Sequence, residues 1–552
     1  MSAPSNPVAV GETLFFTADD GVHGWELWKS DGTESGTALV KDTEPDDAHD
    51  GDDYGPSYLI RVGDTLFFTV DDGVHGDELW KSDGTRRGTV LVKDINPDEG
   101  YYERGPVSLA AVGGTLFFTA DDGVHGRELW KSDGTRAGTA LVKDLSPAAR
   151  FGGPFRLTGV GNTLFFTADD GVHGRELWRS DGTGTGTVLV KDINPGNDGN
   201  ADGPGYLTGV GDTLFFPVDD GVHGEELWKS DGTEAGTVLV RNIRPGTYDS
   251  GPSGLGDVAG TLFFSARDGV HGEELWKSDG TEAGTVLVKD INPEASHGRP
   301  SHVVAVDASM FFIADDGVHG HELWRTDGAE AGTALVEDVN PDNGEYSADP
   351  SFLADAGETL FFTPDDGVHG LELWKSDGTV VGTVLVKDIN PGDSYSYDPS
   401  PLADMGGTLF LAADDGTRGL ELWKSDGTEA GTVLVKDINA GGGFRPTADG
   451  IANPDKGTLQ VKVRVEGAGR LVAAGAGKSL LKTTRTHPKA ADATRVTLTP
   501  NAAGMRKLRQ ALREAQSHGG NVGKVEVRAR FTFTPCGGGP SSQVRRYTLK
   551  LR

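Results

Sequence analysis

One motif recurs nine times along this chain, and it constrains the fold more than any other feature. Its plainest form is Gly-Thr-Leu-Phe-Phe-Thr-Ala-Asp-Asp-Gly-Val-His-Gly-X-Glu-Leu-Trp-Lys-Ser-Asp-Gly-Thr-X-X-Gly-Thr-X-Leu-Val-Lys-Asp. The tryptophans mark the period: Trp28, Trp80, Trp130, Trp178, Trp228, Trp276, Trp324, Trp374 and Trp423, separated by 52, 50, 48, 50, 48, 48, 50 and 49 residues. A near-fixed period of this length means a repeat architecture rather than a string of unrelated domains.

Within one unit the pattern is all strand. Tyr58–Val62, Thr65–Val70, Glu78–Ser82 and Thr89–Ile95 are short runs rich in apolar and β-branched residues, each bounded by Gly or Asp. No stretch of the unit has helical period. Four short antiparallel strands per unit predict one blade of a β-propeller, an arrangement whose radial repetition protects sheet edges. The expected fold is therefore all-β: nine four-stranded blades over residues 1–450, then a small C-terminal Ig-like β-sandwich over 451–552. Consecutive Leu66, Phe67 and Phe68 require burial on both faces of their strand. Leu79 and Trp80 must point to opposite faces, so each Trp is expected to fill the space between adjacent blades.

The string Glu26-Leu-Trp-Lys-Ser-Asp-Gly-Thr33 and its repeats resemble the ELWxxDGT repeat proteins of bacteria over roughly residues 7–440. The neighbourhood of the motif departs in unit seven, at Arg325-Thr-Asp-Gly-Ala329, and in unit nine, where Thr417-Arg418 replaces Val-His. The resemblance implies a propeller-like, exported protein, and it carries no reaction and no catalytic residue with it.

Charge divides the chain in two. From Ile451 onward 20 Lys and Arg stand against 5 Asp and Glu, a surplus of +15, which leaves −48 of the total −33 to residues 1–450. So acidic a repeat region disfavours nucleic acid and anionic membrane as partners. The single Cys536 excludes an intrachain disulfide and a Cys-based zinc site. No apolar run approaches the roughly 18 residues of a membrane span. The opening Met1-Ser-Ala-Pro-Ser-Asn-Pro7 lacks a basic-then-apolar leader; with Gly/Thr/Asp-rich repeats, the expectation is an extracellular or cell-surface monomer whose leader has been removed.

If the strands run from the channel outward, the second-to-third and fourth-to-first connections share one face of the ring. The fourth-to-first connections are the segments that vary most between units, and tyrosine collects in or beside them: Tyr54, Tyr58, Tyr101, Tyr102, Tyr206, Tyr248, Tyr346, Tyr395 and Tyr397. Variable loops on a rigid scaffold are where binding surfaces are usually built, and Tyr combines an apolar face with a polar tip. These tyrosines, with His23, His75 and His125 of the second-to-third loops, form the candidate binding face for a saccharide or a surface protein. The alternative for Tyr58 and Tyr206 is that they start strands and pack.

The recurrent Asp-Asp-Gly-Val-His-Gly loops offer weak candidate calcium ligands in Asp19, Asp20, Asp71, Asp72, Asp121 and Asp122, because calcium takes oxygen ligands. The competing expectation is a turn in which Asp accepts backbone N–H groups and His makes a local hydrogen bond; no cofactor is required by either. Neither a Gly-X-Ser-X-Gly elbow nor a phosphate loop nor a dinucleotide fingerprint occurs. The leading functional expectation is a non-catalytic binding propeller. A propeller-based hydrolase or lyase acting on polysaccharide and a calcium-stabilised structural protein are the alternatives.

From Ile451 the alternation of Gly457–Glu466, the strands at 470–474, 479–484 and 494–499, a helix over Asn501–Ala515 and a final hairpin of Lys524–Thr534 with Arg545–Leu551 resemble bacterial Ig-like domains. Such a unit would act as spacer or attachment.

Overall fold

The computed structural model describes residues 2–43, 55–97, 105–145, 153–195, 203–293, 296–307, 309–341, 350–391 and 399–439 of the repeat region. Beyond it are described 444–453, 458–465, 469–475, 481–482, 484–486, 492–501, 505–507, 509–510, 523–535 and 541–551. The repeat region is a β-propeller of nine four-stranded antiparallel blades, at residues 5–41, 57–93, 107–143, 155–191, 208–241, 253–289, 301–337, 351–387 and 400–436. In each blade the four strands lie in chain order. First strands of consecutive blades touch around the ring, and Ser400–Asp404 of blade nine touches Ser5–Val10 of blade one. The first strands thus enclose the channel and the fourth strands form the outer wall.

Blade two shows why this sequence makes this sheet. Its strands are Ser57–Val62, Thr65–Asp71, Asp77–Ser82 and Val90–Lys93. The fourth is shorter at both ends than the sequence pattern suggests. Side chains alternate between the two faces as the pleat demands. Leu66, Phe68, Val70 and Trp80 pack on Phe15, Leu27 and Val40 of blade one. Phe67 and Leu79 face the other way, onto Leu116, Phe118 and Trp130 of blade three. Trp80 is 5 % exposed and Leu79 0 %, and burying each such side chain contributes roughly 1.5–3 kcal/mol. Each Trp therefore fills the seam with the preceding blade, where Phe118 and Trp130 lie 6.5 Å apart and stacked.

A polar clamp repeats beside this apolar seam. In eight blades a Lys or Arg at the end of the fourth strand donates to the carbonyl of a Thr in the next blade, as Lys41 does to Thr89 at 3.0 Å and Lys93 to Thr139 at 2.9 Å. The ammonium of Lys41 also lies 4.4 Å from the centre of the Trp80 ring, and that of Lys93 5.0 Å from Trp130. The 3–4 turn abuts the preceding blade too: Lys29 donates to the Gly84 carbonyl at 2.8 Å. Four residues on, Gly88 admits no side chain, because a Cβ there would lie 2.0 Å from Asp83 Oδ1.

Closure uses the same chemistry. Phe410, Leu422, Val435 and Ile438 of blade nine pack on Leu14, Phe16, Ala18 and Trp28 of blade one. Lys436 donates to the Thr37 carbonyl and Lys424 to that of Gly32, both at 2.9 Å. The chain start adds a latch, with Ser2 Oγ donating to the Leu420 carbonyl at 2.5 Å.

The seam between blades seven and eight departs from the pattern. Glu337 occupies the clamp position, and its buried Oε2 has no hydrogen-bond partner. Burial, and then the nearby Asp338, push its carboxyl pKa up. Across the seam Trp374 is less buried than its eight counterparts and is tilted 51° against Phe362. Replacing Glu337 by Lys should restore a hydrogen bond and a cation–π contact, and raise stability by about 1–2 kcal/mol. A higher melting temperature for Glu337→Lys than for the unaltered chain checks this; an unchanged or lower one contradicts it.

The C-terminal residues form two antiparallel sheets. One pairs Phe444–Asn453, Thr458–Val465 and Asp492–Leu498. The other orders Thr484–Thr486, Gly469–Gly475, Gly523–Pro535 and Ser541–Leu551. The first of these strands straddles the 450/451 boundary drawn from composition. Residues 505–507 and 509–510 are helical, within the expected helix. Among the described residues no helix is long and apolar enough to cross a membrane.

Candidate binding rim at the channel mouth

Nine prolines build the channel mouth: Pro4, Pro56, Pro106, Pro154, Pro204, Pro252, Pro300, Pro350 and Pro399 are all buried, eight of them immediately before their blade's first strand and Pro204 a short step ahead of Thr208–Val210. Two of them are bolted across blades, Thr69 Oγ1 donating to the Pro106 carbonyl at 2.8 Å and Thr167 Oγ1 to that of Pro204 at 3.0 Å. Two residues after each proline comes a position that differs in every blade except two and five. In seven blades the pairing of first and second strand slips here by one residue, as between Ser57↔Thr69 and Ile60↔Phe67. A bulge of this kind re-aims a side chain.

The slipped residue takes the left-handed backbone conformation. Asn6, Tyr58, Ser108, Arg156, Tyr206, His302 and Phe352 have φ between +41° and +56°. Gly254 does the same in blade six at +60°. Pro401 of blade nine cannot, since its ring fixes φ near −65°, and the register slip there moves one step on, between Pro401 and Ala403. The residue opposite this rim position pairs close to the second-to-third loop, so the ring lies on the face that those loops share with the fourth-to-first connections. Tyr58 is 51 % exposed, Tyr206 64 % and Phe352 43 %. Between blades one and two, Asn6, Pro7, Ser57, Tyr58 and Leu59 line an open cleft of about 490 Å³.

Folding does not account for these side chains. Glycine adopts positive φ freely, and Gly254 shows that it fits the position. A Tyr, Phe, Arg or His held there carries backbone strain of about 1 kcal/mol or more and leaves its ring or charge in solvent. Such outliers point to a use outside the fold. Accordingly Tyr58→Gly, Tyr206→Gly and Phe352→Gly should each leave stability unchanged or raise it by about 1 kcal/mol, while weakening whatever the mouth binds. A loss of stability in thermal unfolding would mean that the rim rings pack.

The rim meets the sequence-based candidate face only in part. Tyr58 and Tyr206 sit on it, and their exposure answers the alternative that they merely pack. Tyr248 is 63 % exposed in the connection from blade five to blade six, with the Arg244 guanidinium 4.9 Å from its ring. Tyr54, Tyr101, Tyr102, Tyr346, Tyr395 and Tyr397 lie outside the described residues. Asn6, Ser108, Arg156, His302 and Phe352 were not among the candidates; the signal for them was the invariant proline two residues upstream of a variable position.

The second-to-third loops are turns. Asp19, Asp71 and Asp121 accept the N–H of Gly21, Gly73 and Gly123 through Oδ1. Asp20, Asp72 and Asp122 accept the next two free N–H groups and the Nδ1 of His23, His75 and His125. All eight loop histidines make this contact, at 2.6–2.9 Å. In blade nine Arg418 takes the place of His and pairs with Asp415. Among the described residues no group of three or more His, Cys, Asp or Glu is set to hold a metal ion. The Asp hydrogen bond raises the pKa of His75, His125, His173, His271, His319 and His369.

The Glu of every Glu-Leu-Trp is buried, 2 % exposed or less. It ties down the chain after the fourth strand: Glu78 Oε1 accepts the N–H groups of Ile95 and Asn96 at 2.9 and 3.0 Å. Burial pushes Glu78, Glu176, Glu274, Glu372 and Glu421 up to about 7. Carboxyls so perturbed are a mark of catalytic sites. Here the same buried Glu recurs in every blade, sealed from solvent, which makes it structural. A carboxyl that holds its proton more tightly folded than unfolded favours the fold below its unfolded pKa, near 4.5, and that contribution is lost as pH rises through about 7. The raised histidines act in the same direction. The propeller should therefore melt several degrees lower at pH about 8.5 than at about 5.5; a melting temperature flat or rising over that interval contradicts the assignment.

No family profile and no curated protein sequence matches the chain. Solved structures similar to it include a puromycin hydrolase S511A mutant (16 % identity, TM-score 0.33, 66 % of this chain and 58 % of that one). Prolyl oligopeptidase B from Galerina marginata is similar at 11 % identity and TM-score 0.34, over 66 % and 57 % of the two chains. The extracellular domain of a putative one-component system from B. thetaiotaomicron is similar at 10 % identity and TM-score 0.25, over 100 % and 86 %. The chain spans a little over half the length of the two peptidases, and at these identities and scores none of these likenesses bears on activity.

Proposed function

We propose that this is an exported, non-catalytic binding protein whose propeller presents the channel mouth to a saccharide, with the basic C-terminal unit, read as Ig-like, serving as spacer or attachment. The observation that carries the reading is the ring of strained, exposed and blade-specific side chains on an otherwise repetitive scaffold. Sugars pair apolar C–H faces with hydroxyl groups, and exposed Tyr rings beside Asn, Ser and His suit both. The nine-bladed ring also encloses a wider bore than the about four to eight blades usual in propellers, so the rim can engage an extended chain rather than a single small molecule. The burial of the Glu-Leu-Trp carboxyls, away from the exposed rim, favours binding over hydrolysis or elimination.

A glycan array followed by calorimetry, run with calcium and with chelator, tests this. The expected result is binding without bond cleavage, weakened about tenfold or more by Tyr58→Ala and by Tyr206→Ala. Release of shortened product by the unaltered protein would replace this reading with a polysaccharide hydrolase or lyase. Binding and melting temperature that both rise with calcium would support the calcium-stabilised alternative.

A protein surface is the second reading. It is favoured by the loop valines on the same face, among them Val74 at 63 %, Val124 at 80 % and Val368 at 81 % exposed. Eight such tips form a regular apolar array unsuited to sugars, and replacing three of them by Ser would disturb protein capture but not glycan binding.

A further inference from the structure

The mouth is not uniform around its circumference. In blades four and five the side chains cluster: the Arg175 guanidinium lies 4.8 Å from the Phe155 ring centre, Arg156 lies 5.3 Å from the same ring centre, and Arg156 lies 5.9 Å from that of Tyr206. Both cations thus gather at Phe155, and Arg156 joins the blades by donating Nη1 to the Pro204 carbonyl at 3.0 Å. Arg156 and Tyr206 are both residues of the strained rim.

Some arginines of this face are held by carboxylates. Arg267 pairs with Glu273 at 3.5 Å and Arg418 with Asp415. Neither Arg156 nor Arg175 has a carboxylate partner among the described residues, although the repeat region carries a net −48. Among the described residues, the aspartates of the second-to-third loops of these two blades are already engaged: Asp169 with the Gly171 N–H, Asp170 with Val172 and His173, Asp219 with Gly221, and Asp220 with Val222 and His223. Two guanidiniums gathered at one ring, with no carboxylate partner among the described residues, offer fork-shaped donors to a carboxylate. Contact with Phe155, and for Arg156 with Tyr206, holds them in place, and beyond the one Nη1 donor that Arg156 gives to Pro204 their N–H groups remain for a ligand.

We propose that this arc is the seat of an acidic saccharide, a uronate whose carboxylate pairs with Arg156 and Arg175 while the exposed face of Tyr206 takes the sugar ring. The inference rests on the saccharide reading above and names the ligand class. The acidic surroundings sharpen it: a carboxylate meets repulsion over much of this face, so an anionic ligand is favoured where two guanidiniums gather. At physiological salt the wider field is screened beyond about 8 Å, and the short contact dominates.

The test compares oligomers of galacturonate, glucuronate and mannuronate with their methyl esters, which differ in charge and little in shape. The full chain is titrated by calorimetry. The acids are expected to bind about tenfold or more tightly than the esters. Arg156→Gln combined with Arg175→Gln should abolish that preference, and the double Lys variant should keep part of it. Tyr206→Ala should weaken acid and ester alike, and Arg136→Gln, on the opposite face, should change nothing. Melting temperatures of all variants show that the ring is intact. Equal binding of acid and ester, or a preference that survives the double Gln variant, overturns this inference and leaves the saccharide reading standing. Binding of neither by the unaltered protein removes both.

Discussion

The interlocking of one blade's Leu, Phe and Trp with the opposite face of its neighbour is the interaction on which the rest of the structure depends. Because successive residues point to opposite faces, Phe67 and Phe68 commit a single strand to two different seams. A blade detached from its neighbours would therefore expose apolar rings on both sides. Neither the channel nor the rim exists until every seam is made. The Lys or Arg clamp completes eight of the nine seams by giving a Thr carbonyl its donor beside the Trp ring.

Rigid seams have a consequence for the mouth. The first strands are fixed by the strands outside them, and the prolines are buried, Pro106 and Pro204 being also bonded across blades, so the bulge has little freedom to relax. This is how a Tyr or Arg can be held at positive φ without the sheet rearranging around it. The stability of the ring is spent evenly over nine copies, whereas identity at the rim is set blade by blade. The proposed recognition surface and the scaffold are thus separable in the sequence: one is what repeats, the other is what varies at a fixed offset from an invariant proline.

Much of the fold was legible because the period-two and period-fifty patterns reinforce each other. The strands of blade two, the inward and outward order and the role of Trp80 all follow from alternation and turn residues. The fate of the loop Asp and His residues as turn partners followed from Asx chemistry. The rim did not, because a bulge leaves no mark in hydrophobic periodicity: one extra residue simply looks like a slightly longer strand. Glu78 was passed over for a related reason. In Glu-Leu-Trp a charged residue next to two large apolar ones reads as a solvated strand end, and only the folded chain brings the N–H groups of Ile95 and Asn96 onto it. The tail's first strand, Phe444–Asn453, was divided between two units because composition changes later than structure does.

Near-identity of the seams has one more consequence. Since the face that blade one offers blade nine is the same as the face each blade offers the next, nothing in the joints themselves counts to nine. Duplication or loss of a repeat would present matching surfaces at the new joint, and curvature alone would have to adjust. Aperture in such a molecule is then a stepwise quantity, set by copy number, while the chemistry at its edge can be edited one unit at a time.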